Sequence, residues 1–338
     1  MEQKLDNQSR NRFIDVLKGI CIIAVVFCHA DWTEEQNLKL FFPFWIAMAV
    51  PFFMLISGYV YTKSFLRNKI VGLDSAYNKK YFIKNFIRYT IPYLGMFFIE
   101  ISVIAIRTIK NNESIKHFIK HSVFLFLEGG EGPGSYYYPE MIQIMLLFPI
   151  IFVLVKKLNF EGVVIVAFAT LFFEILKFPY CINDELYRLL LFRYFMLIAF
   201  GTYFALNKMQ SKFWILSCIG FVFIVLFSYT NYDPRIFKWW TRTSMFPVLF
   251  IIPIFGFLVE KNIKFPPLEV VGKASYNIFL TQMLYFWKVY DKVKDIVENT
   301  CANAFISIII CVAVGILFYE LEYRVTKKVT GKILEKVR

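Results

Sequence analysis

Histidine is scarce in this chain, three residues in 338, and the 25 acidic residues are outnumbered by 38 lysines and arginines. His117 and His121 form an HxxxH pair that places two imidazoles on one helical face. No carboxylate with zincin spacing accompanies them, so no metal site is expected. The six cysteines (Cys21, Cys28, Cys181, Cys218, Cys301 and Cys311) are scattered without CxxC or metal-ligand spacing, which reads as small buried thiols. The net charge of +13 is spread over short basic segments separated by apolar runs rather than gathered on one face, so nucleic-acid binding is not expected. The glycine-rich stretch GGEGPGS, residues 129–135, lacks the strand-to-helix context in which such loops cradle phosphates. It is expected to be a mobile extracytoplasmic loop covering a site. No small-residue cleavage site follows the first apolar run, which argues against a cleaved signal peptide.

Apolar surface is what the chain has in excess. Hydrophobic residues make up 58% and aromatics 20%, with a mean hydropathy of +0.55, against about 45–50% apolar in soluble domains. That excludes a soluble domain. Runs long enough to span a bilayer fall at about 13–31, 40–62, 86–106, 137–155, 163–178, 186–206, 213–230, 243–259, 269–287 and 303–323. The expected fold is all-α: a polytopic membrane protein of about ten transmembrane helices, forming one domain over residues 1–338 with a basic tail from Arg324. With the N-terminus inside, cytoplasmic segments hold 24 lysines and arginines and the opposite side 14. The positive-inside rule therefore places both termini in the cytoplasm.

The most informative stretch is Arg12 to Trp32, RFIDVLKGICIIAVVFCHADW. On a helix Lys18 and His29 lie about 20° apart and Asp15 about 60° from Lys18, so one face carries all three. The eleven residues from Lys18 to His29 cover roughly 16 Å, about half the hydrocarbon thickness. Ionisable groups at that depth usually face the bundle interior or a wet cavity and mark function. The alternative is that Asp15 and Lys18 snorkel to the surface and His29 bonds a neighbouring helix. Other polar positions recur on apolar helices. Lys80, Lys84 and Arg88 form an i, i+4, i+8 stripe suited either to topology or to phosphate oxygens. Tyr136, Glu140 and Gln143 fall within about 60° on another helix, where Glu140 can orient His29, bind hydroxyl groups, or simply reach water from the helix end. Arg193, deep in its run, is expected to pair with Glu140 or Glu174. Pro51 can kink its helix, and Ser57-Gly58 lets a neighbouring backbone approach closely as a packing notch.

Asp15, Lys18-Gly19, the apolar run and His29 resemble the opening of the acyltransferase type 3 family, integral membrane enzymes that acylate sugars and other extracytoplasmic acceptors. In that family the first helix has Arg or Lys, ten residues, then His. Ser57-Gly58-Tyr59 is similar to the Ser-Gly-aromatic end of its second helix. YYYPEMIQIMLLFP, residues 136–149, resembles the fourth helix of polysaccharide-modifying members, and FGTYF at 200–204 a glycine-containing helix end. The family's basic motif of two arginines separated by two residues is met only by Arg88, with Lys84 off its spacing. Gly272-x-x-Ser275 also matches, but Gln282 stands where the family has a histidine, and Gln cannot take a proton near pH 7.

The resemblance covers about residues 12–325 and implies transfer of an acyl group, acetyl above all, from cytoplasmic acetyl-CoA. The acceptor implied is a hydroxyl of a cell-surface or exported polysaccharide, or its lipid-linked precursor, at a bacterial plasma membrane. His29 is then base or transient acyl carrier, with Glu140 and Asp15 beside it in the catalytic set. Lys18, Arg88 and Lys84 hold the donor; Tyr136, Gln143, Arg193, Ser57 and Gln282 face the acceptor. The competing classes are a transporter or flippase, since many spans with buried charges also describe a permeation pathway, and a non-catalytic membrane component of a glycan-assembly system. Against a transporter, the Lys18 to His29 arrangement has no counterpart in the second half of the chain.

Overall fold

A computed structural model describes residues 11–112, 114–180, 184–230, 232, 241–261 and 263–336, without the side chains of 176–180, 184–185 and 336. Lys4, Arg10, Cys181, Arg235, Lys238 and Arg338, all used in the charge and thiol readings, lie outside the described residues. The main helices are α1 Phe13–Cys28, α2 Ala49–Arg67, α3 Lys79–Lys110, α4 Ile115–Glu128, α5 Tyr137–Leu158, α6 Phe160–Tyr180, α7 Phe195–Leu206, α8 Trp214–Tyr229, α9 Ile251–Val259, α10 Pro266–Lys273, α11 Ser275–Lys288 and α12 Thr300–Lys336. No strand occurs among the described residues. Six helical segments there are long and apolar enough to cross a membrane: Phe42–Arg67, Lys79–Lys110, Tyr137–Leu158, Ser211–Tyr229, Thr241–Val259 and Thr300–Glu335. The protein is a helical, multi-pass membrane protein.

All ten apolar runs fall on helical segments, but several are broken. The run at 186–206 is interrupted at Leu189–Leu190, the run at 269–287 at Ala274, and the runs at 40–62 and 243–259 each open with a short 3₁₀ turn. Pro51 does not kink its helix. It sits in the first turn of α2, where its missing N–H has no intrahelical partner to lose. α1 has 16 residues, about 24 Å, which is short of the hydrocarbon thickness. The helix therefore stops at His29 instead of running through it.

Close backbone approach places α1 in the bundle. A Cβ on Gly272 of α10 would stand 1.7 Å from the Asp15 carbonyl oxygen, and one on Gly19 would stand 2.5 Å from that of Leu268. Only glycine permits this contact, the small-residue packing that drives helix association in lipid. The same device joins α2 to α7, where a Cβ on Gly58 would lie 2.2 Å from the Ile198 carbonyl oxygen. The packing notch read from Ser57-Gly58 is thus occupied by α7.

The connection between α3 and α5 differs from expectation. Lys18 and Arg88 line one cavity, so α1 and α3 start at the same end and run together toward the His29 end. α4 then turns back along α3: the Phe126 ring lies 5.3 Å from Phe97 and 5.5 Å from Tyr93, and the Tyr93 hydroxyl donates to the Phe126 carbonyl at 2.9 Å. Gly130 consequently meets the buried Glu100 carboxylate, ten residues or about 15 Å back from Lys110.

Non-helical backbone at that depth survives only when protein supplies its hydrogen bonds. Here Gln282 Nε2 donates to the Pro133 carbonyl at 2.9 Å, and Glu100 Oε2 accepts from the Glu131 amide at 3.3 Å. Gly129, Gly130, Gly132 and Gly134 all have φ between 88° and 101°, and a Cβ on Gly132 would strike the Met283 carbonyl oxygen at 2.4 Å. The glycine-rich stretch is a packed re-entrant plug rather than a mobile cover. Of the described cysteines, Cys21 and Cys311 are buried, Cys28 is half-buried, and Cys218 and Cys301 are exposed on the bundle surface.

Candidate active site

At the Lys18 end of α1 lies a cavity of about 120 Å³. Its cations are Lys18 from α1 and Arg88 from α3; Ser57, Ser64, Asn85 and Ser275 add hydroxyl and amide groups. The walls are aromatic. Tyr61, Tyr81, Tyr89, Tyr137 and Tyr276 surround it, with Phe53, Ile56, Val60 and Met141 completing the apolar lining. The tyrosines are fixed by their own hydrogen bonds: the Tyr61 and Tyr89 hydroxyls are 2.7 Å apart, and the Tyr276 hydroxyl donates to the Tyr89 carbonyl at 3.0 Å. Such a cleft, cationic and rich in π faces, is chemically suited to a phosphorylated ligand with an aromatic base.

Lys18 enters this cavity next to Asp15, Nζ to Oδ1 at 3.7 Å. Asp15 is 4% exposed, and its backbone is pinned against Gly272. The three polar residues of α1 do share a face, yet they do not meet. Asp15 and Lys18 belong to one end, while His29 caps the helix at the other, its N–H bonded to the Val26 carbonyl. Its imidazole stands edge-on to Phe286 of α11, with ring centres 5.6 Å apart. Among the described residues the His29 ring makes no hydrogen bond, and the residue is half-buried. His29 does not line the Lys18 cavity, whose inner side is formed by Phe53, Tyr137 and Met141.

The second polar cluster lies on α5. Arg193 Nη2 donates to Glu140 Oε1 at 3.1 Å, with the two side chains 1% and 0% exposed. The guanidinium also sits 4.4 Å from the Tyr194 ring centre and 5.1 Å from that of Tyr136. Of the two partners expected for Arg193, Glu140 is the one found; Glu174 instead accepts from the Met245 amide. Glu140 thus orients Arg193 and not His29. Gln143, one turn along α5, grips the helix break that precedes Arg193: its Nε2 donates to the Leu189 carbonyl at 2.5 Å, and its Oε1 accepts from the Leu191 amide at 3.0 Å. Its amide is bonded to backbone at both its nitrogen and its oxygen. This is the protein-supplied satisfaction that a broken helix in a membrane requires.

The remaining expected residues divide clearly. Ser57 lines the cavity; Lys84 is exposed one turn before Arg88 and does not. Tyr136 borders Arg193, and Gln282, fully buried, holds the glycine plug through Pro133. Phe286 and Met283 of α11 are one turn apart, so the plug at Gly132 and His29 are neighbours along the same helix. His117 and His121 do share a face, with rings parallel at 6.4 Å. The sequence reading missed Tyr61, Tyr81, Asn85 and Tyr89. The last three are spaced i, i+4, i+8 along α3, a stripe one residue off the Lys80, Lys84, Arg88 stripe. That spacing was the available signal.

The fold and this face together define a multi-pass membrane protein with a polar helix linking a cationic cavity to a histidine. The chain belongs to the acyltransferase domain family (Acyl_transf_3), whose profile matches residues 11–320, nearly the whole chain. No curated protein and no solved structure matches it. The protein is accordingly a membrane acyltransferase.

Proposed function

We propose that the protein moves acetyl from cytoplasmic acetyl-CoA to a hydroxyl of a cell-surface or exported polysaccharide, or of its lipid-linked precursor, at a bacterial plasma membrane. The observation that carries this reading is the Lys18, Arg88 and tyrosine cavity at one end of the helix whose other end presents His29. Lys18 and Arg88 pair with phosphate oxygens of the donor, and the tyrosine faces take its base. The acyl arm passes Tyr137 and Met141 toward His29. As general base, His29 accepts the proton of the acceptor hydroxyl while that oxygen attacks the thioester carbonyl. On collapse the carbon–sulfur bond breaks, and the departing thiolate takes the proton back from the imidazolium. As transient acyl carrier, the imidazole nitrogen bonds to the carbonyl carbon as the carbon–sulfur bond breaks and the thiol leaves with the ring proton; the acceptor hydroxyl then attacks the acyl-imidazole, the nitrogen–carbon bond breaks, and the imidazole takes the hydroxyl proton. Arg193, oriented by Glu140 and Gln143, and Tyr136 line the acceptor side. The reading places no metal or nucleic acid in this reaction and treats residues 1–338 as one transmembrane domain.

The test is whether purified protein hydrolyses or transfers label from acetyl-CoA; a folded protein that leaves the thioester intact overturns the donor assignment. Arg88→Ala is expected to weaken acetyl-CoA affinity by the ~1.5–3 kcal/mol of a charge-assisted contact. Equal affinity at low salt reduces Arg88 to a topology signal. For orientation, cysteines placed at Lys39 and Lys116 are expected to label from outside intact cells, while one at Lys69, exposed at the opposite end, stays dark. A cysteine in place of Gly132 stays unlabelled as well, because that backbone is packed against Met283. Labelling at Lys69 in sealed cells inverts the proposed orientation.

A further inference from the structure

A second concave feature lies outside the bundle, between α3 and α4. It is a groove of about 380 Å³ lined by Phe97 and Ile101 on one side and Phe118, Ile119, Val123, Phe126 and Leu127 on the other. The one polar lining residue, Ser122, spends its hydroxyl on the Phe118 carbonyl at 2.8 Å. The groove therefore offers no hydrogen bond and suits hydrocarbon alone. Three rings, Phe126, Tyr93 and Tyr138, stand in sequence between it and the Tyr137 wall of the cavity, Tyr93 and Tyr138 stacked at 3.8 Å. A molecule in the groove does not share the transfer site.

The charge beside the groove is what selects its occupant. Arg107, Lys110, Lys116 and Lys120 gather four cations into fourteen residues at the His29 end, and all four are exposed. Lys116 and Lys120 stand three residues before Ile119 and Val123, about 60° around the helix from two residues that line the groove. Ile115, Ile119, Val123 and Leu127 form an uncovered apolar stripe on α4, each more than half exposed. A helix with an apolar stripe bordered by lysines is the pattern of an element lying against anionic lipid.

We propose that the groove seats a hydrocarbon chain of an anionic phospholipid in the leaflet at the His29 end, with its phosphate held by Lys116 and Lys120. The consequence reaches the site through covalent continuity. α4 runs directly into the glycine plug that Gln282 and Met283 hold beside His29, so a bound lipid fixes the near end of that plug. The inference does not depend on the identity of donor or acceptor.

The experiment uses the full chain in detergent micelles doped with phosphatidylglycerol or phosphatidylcholine, with retained lipid counted by native mass spectrometry. Wild type is expected to retain phosphatidylglycerol preferentially. Each basic side chain near an anionic surface contributes a factor of about five, so the Lys116→Gln, Lys120→Gln double variant is expected to lose about 30-fold of that preference. Val123→Trp, which fills the groove from an exposed position, is expected to lower retention of both lipids. Equal retention of the two lipids by wild type overturns the proposal, as does wild-type retention by Val123→Trp. Stoichiometric displacement of phosphatidylglycerol by a polyprenyl phosphate also overturns it, assigning the groove to a carrier lipid instead. His29→Gln is expected to retain lipid like wild type, so failure of the transfer reading and failure of this one are separable.

Discussion

His29→Gln is expected to lower acyl transfer by ~10²–10⁴, the usual contribution of a positioned general base, while the protein folds and still binds acetyl-CoA. The separation of functions follows from geometry. His29 stands at the far end of α1 from Lys18 and lines no part of the cationic cavity, so donor affinity does not pass through it. Glutamine can reproduce one hydrogen bond of an imidazole but has no basic nitrogen. The His29 ring makes no hydrogen bond among the described residues, and its one ring contact is edge-on to Phe286. A structural role would therefore be satisfied by glutamine. Wild-type turnover is also expected to fall as the pH is lowered, because a protonated imidazole has no lone pair with which to accept a proton or attack a thioester. Rates for His29→Gln within a few-fold of wild type, measured with labelled acetyl-CoA, eliminate it as base and as carrier.

Breaking the Arg193–Glu140 pair is expected to have the largest effect on stability. Both side chains are essentially unexposed, and removing one member of a buried ion pair leaves an uncompensated charge at a cost of about 3–5 kcal/mol. Glu140→Ala should therefore lower the thermal midpoint in detergent strongly, while the double replacement Glu140→Leu, Arg193→Met should recover much of the loss because no charge is stranded. Activity should not recover with it, since the guanidinium between the Tyr136 and Tyr194 rings is gone. A Glu140→Ala protein that melts like wild type shows that water reaches the pair. A double variant that regains transfer removes Arg193 from the acceptor side.

The helices were legible because the bilayer imposes a simple length and composition rule, and every apolar run lies on a helical segment. The breaks were not legible. Nothing in Leu189-Leu190 announces an interruption, because it is created by Gln143, 46 residues earlier, bonding the Leu189 carbonyl. The site was half legible. Arg193 with Glu140, and Lys18 with Asp15, follow from the rule that charges in apolar spans seek partners. Gln143 and Gln282 were read as facing an acceptor, and the structure adds backbone partners for both, Leu189 and Leu191 for Gln143 and Pro133 for Gln282; a polar residue on an inward face looks the same in sequence whether it meets substrate or repairs a neighbour's backbone.

By itself the sequence determined that this is a helical membrane protein, which helix carries the polar face, and which family it belongs to. These are one-dimensional properties: hydropathy over a window, angular spacing on a helix, and a motif. Tertiary structure alone decided that Lys18 and Arg88 line one cavity that His29 does not, that five tyrosines from α2, α3, α5 and α11 wall it, and that the glycine-rich stretch turns back into the bundle. Each of these depends on which backbone approaches which. In lipid that choice is made by close packing at small residues such as Gly19 and Gly272 and by the demand that every broken backbone find a donor or acceptor within the protein.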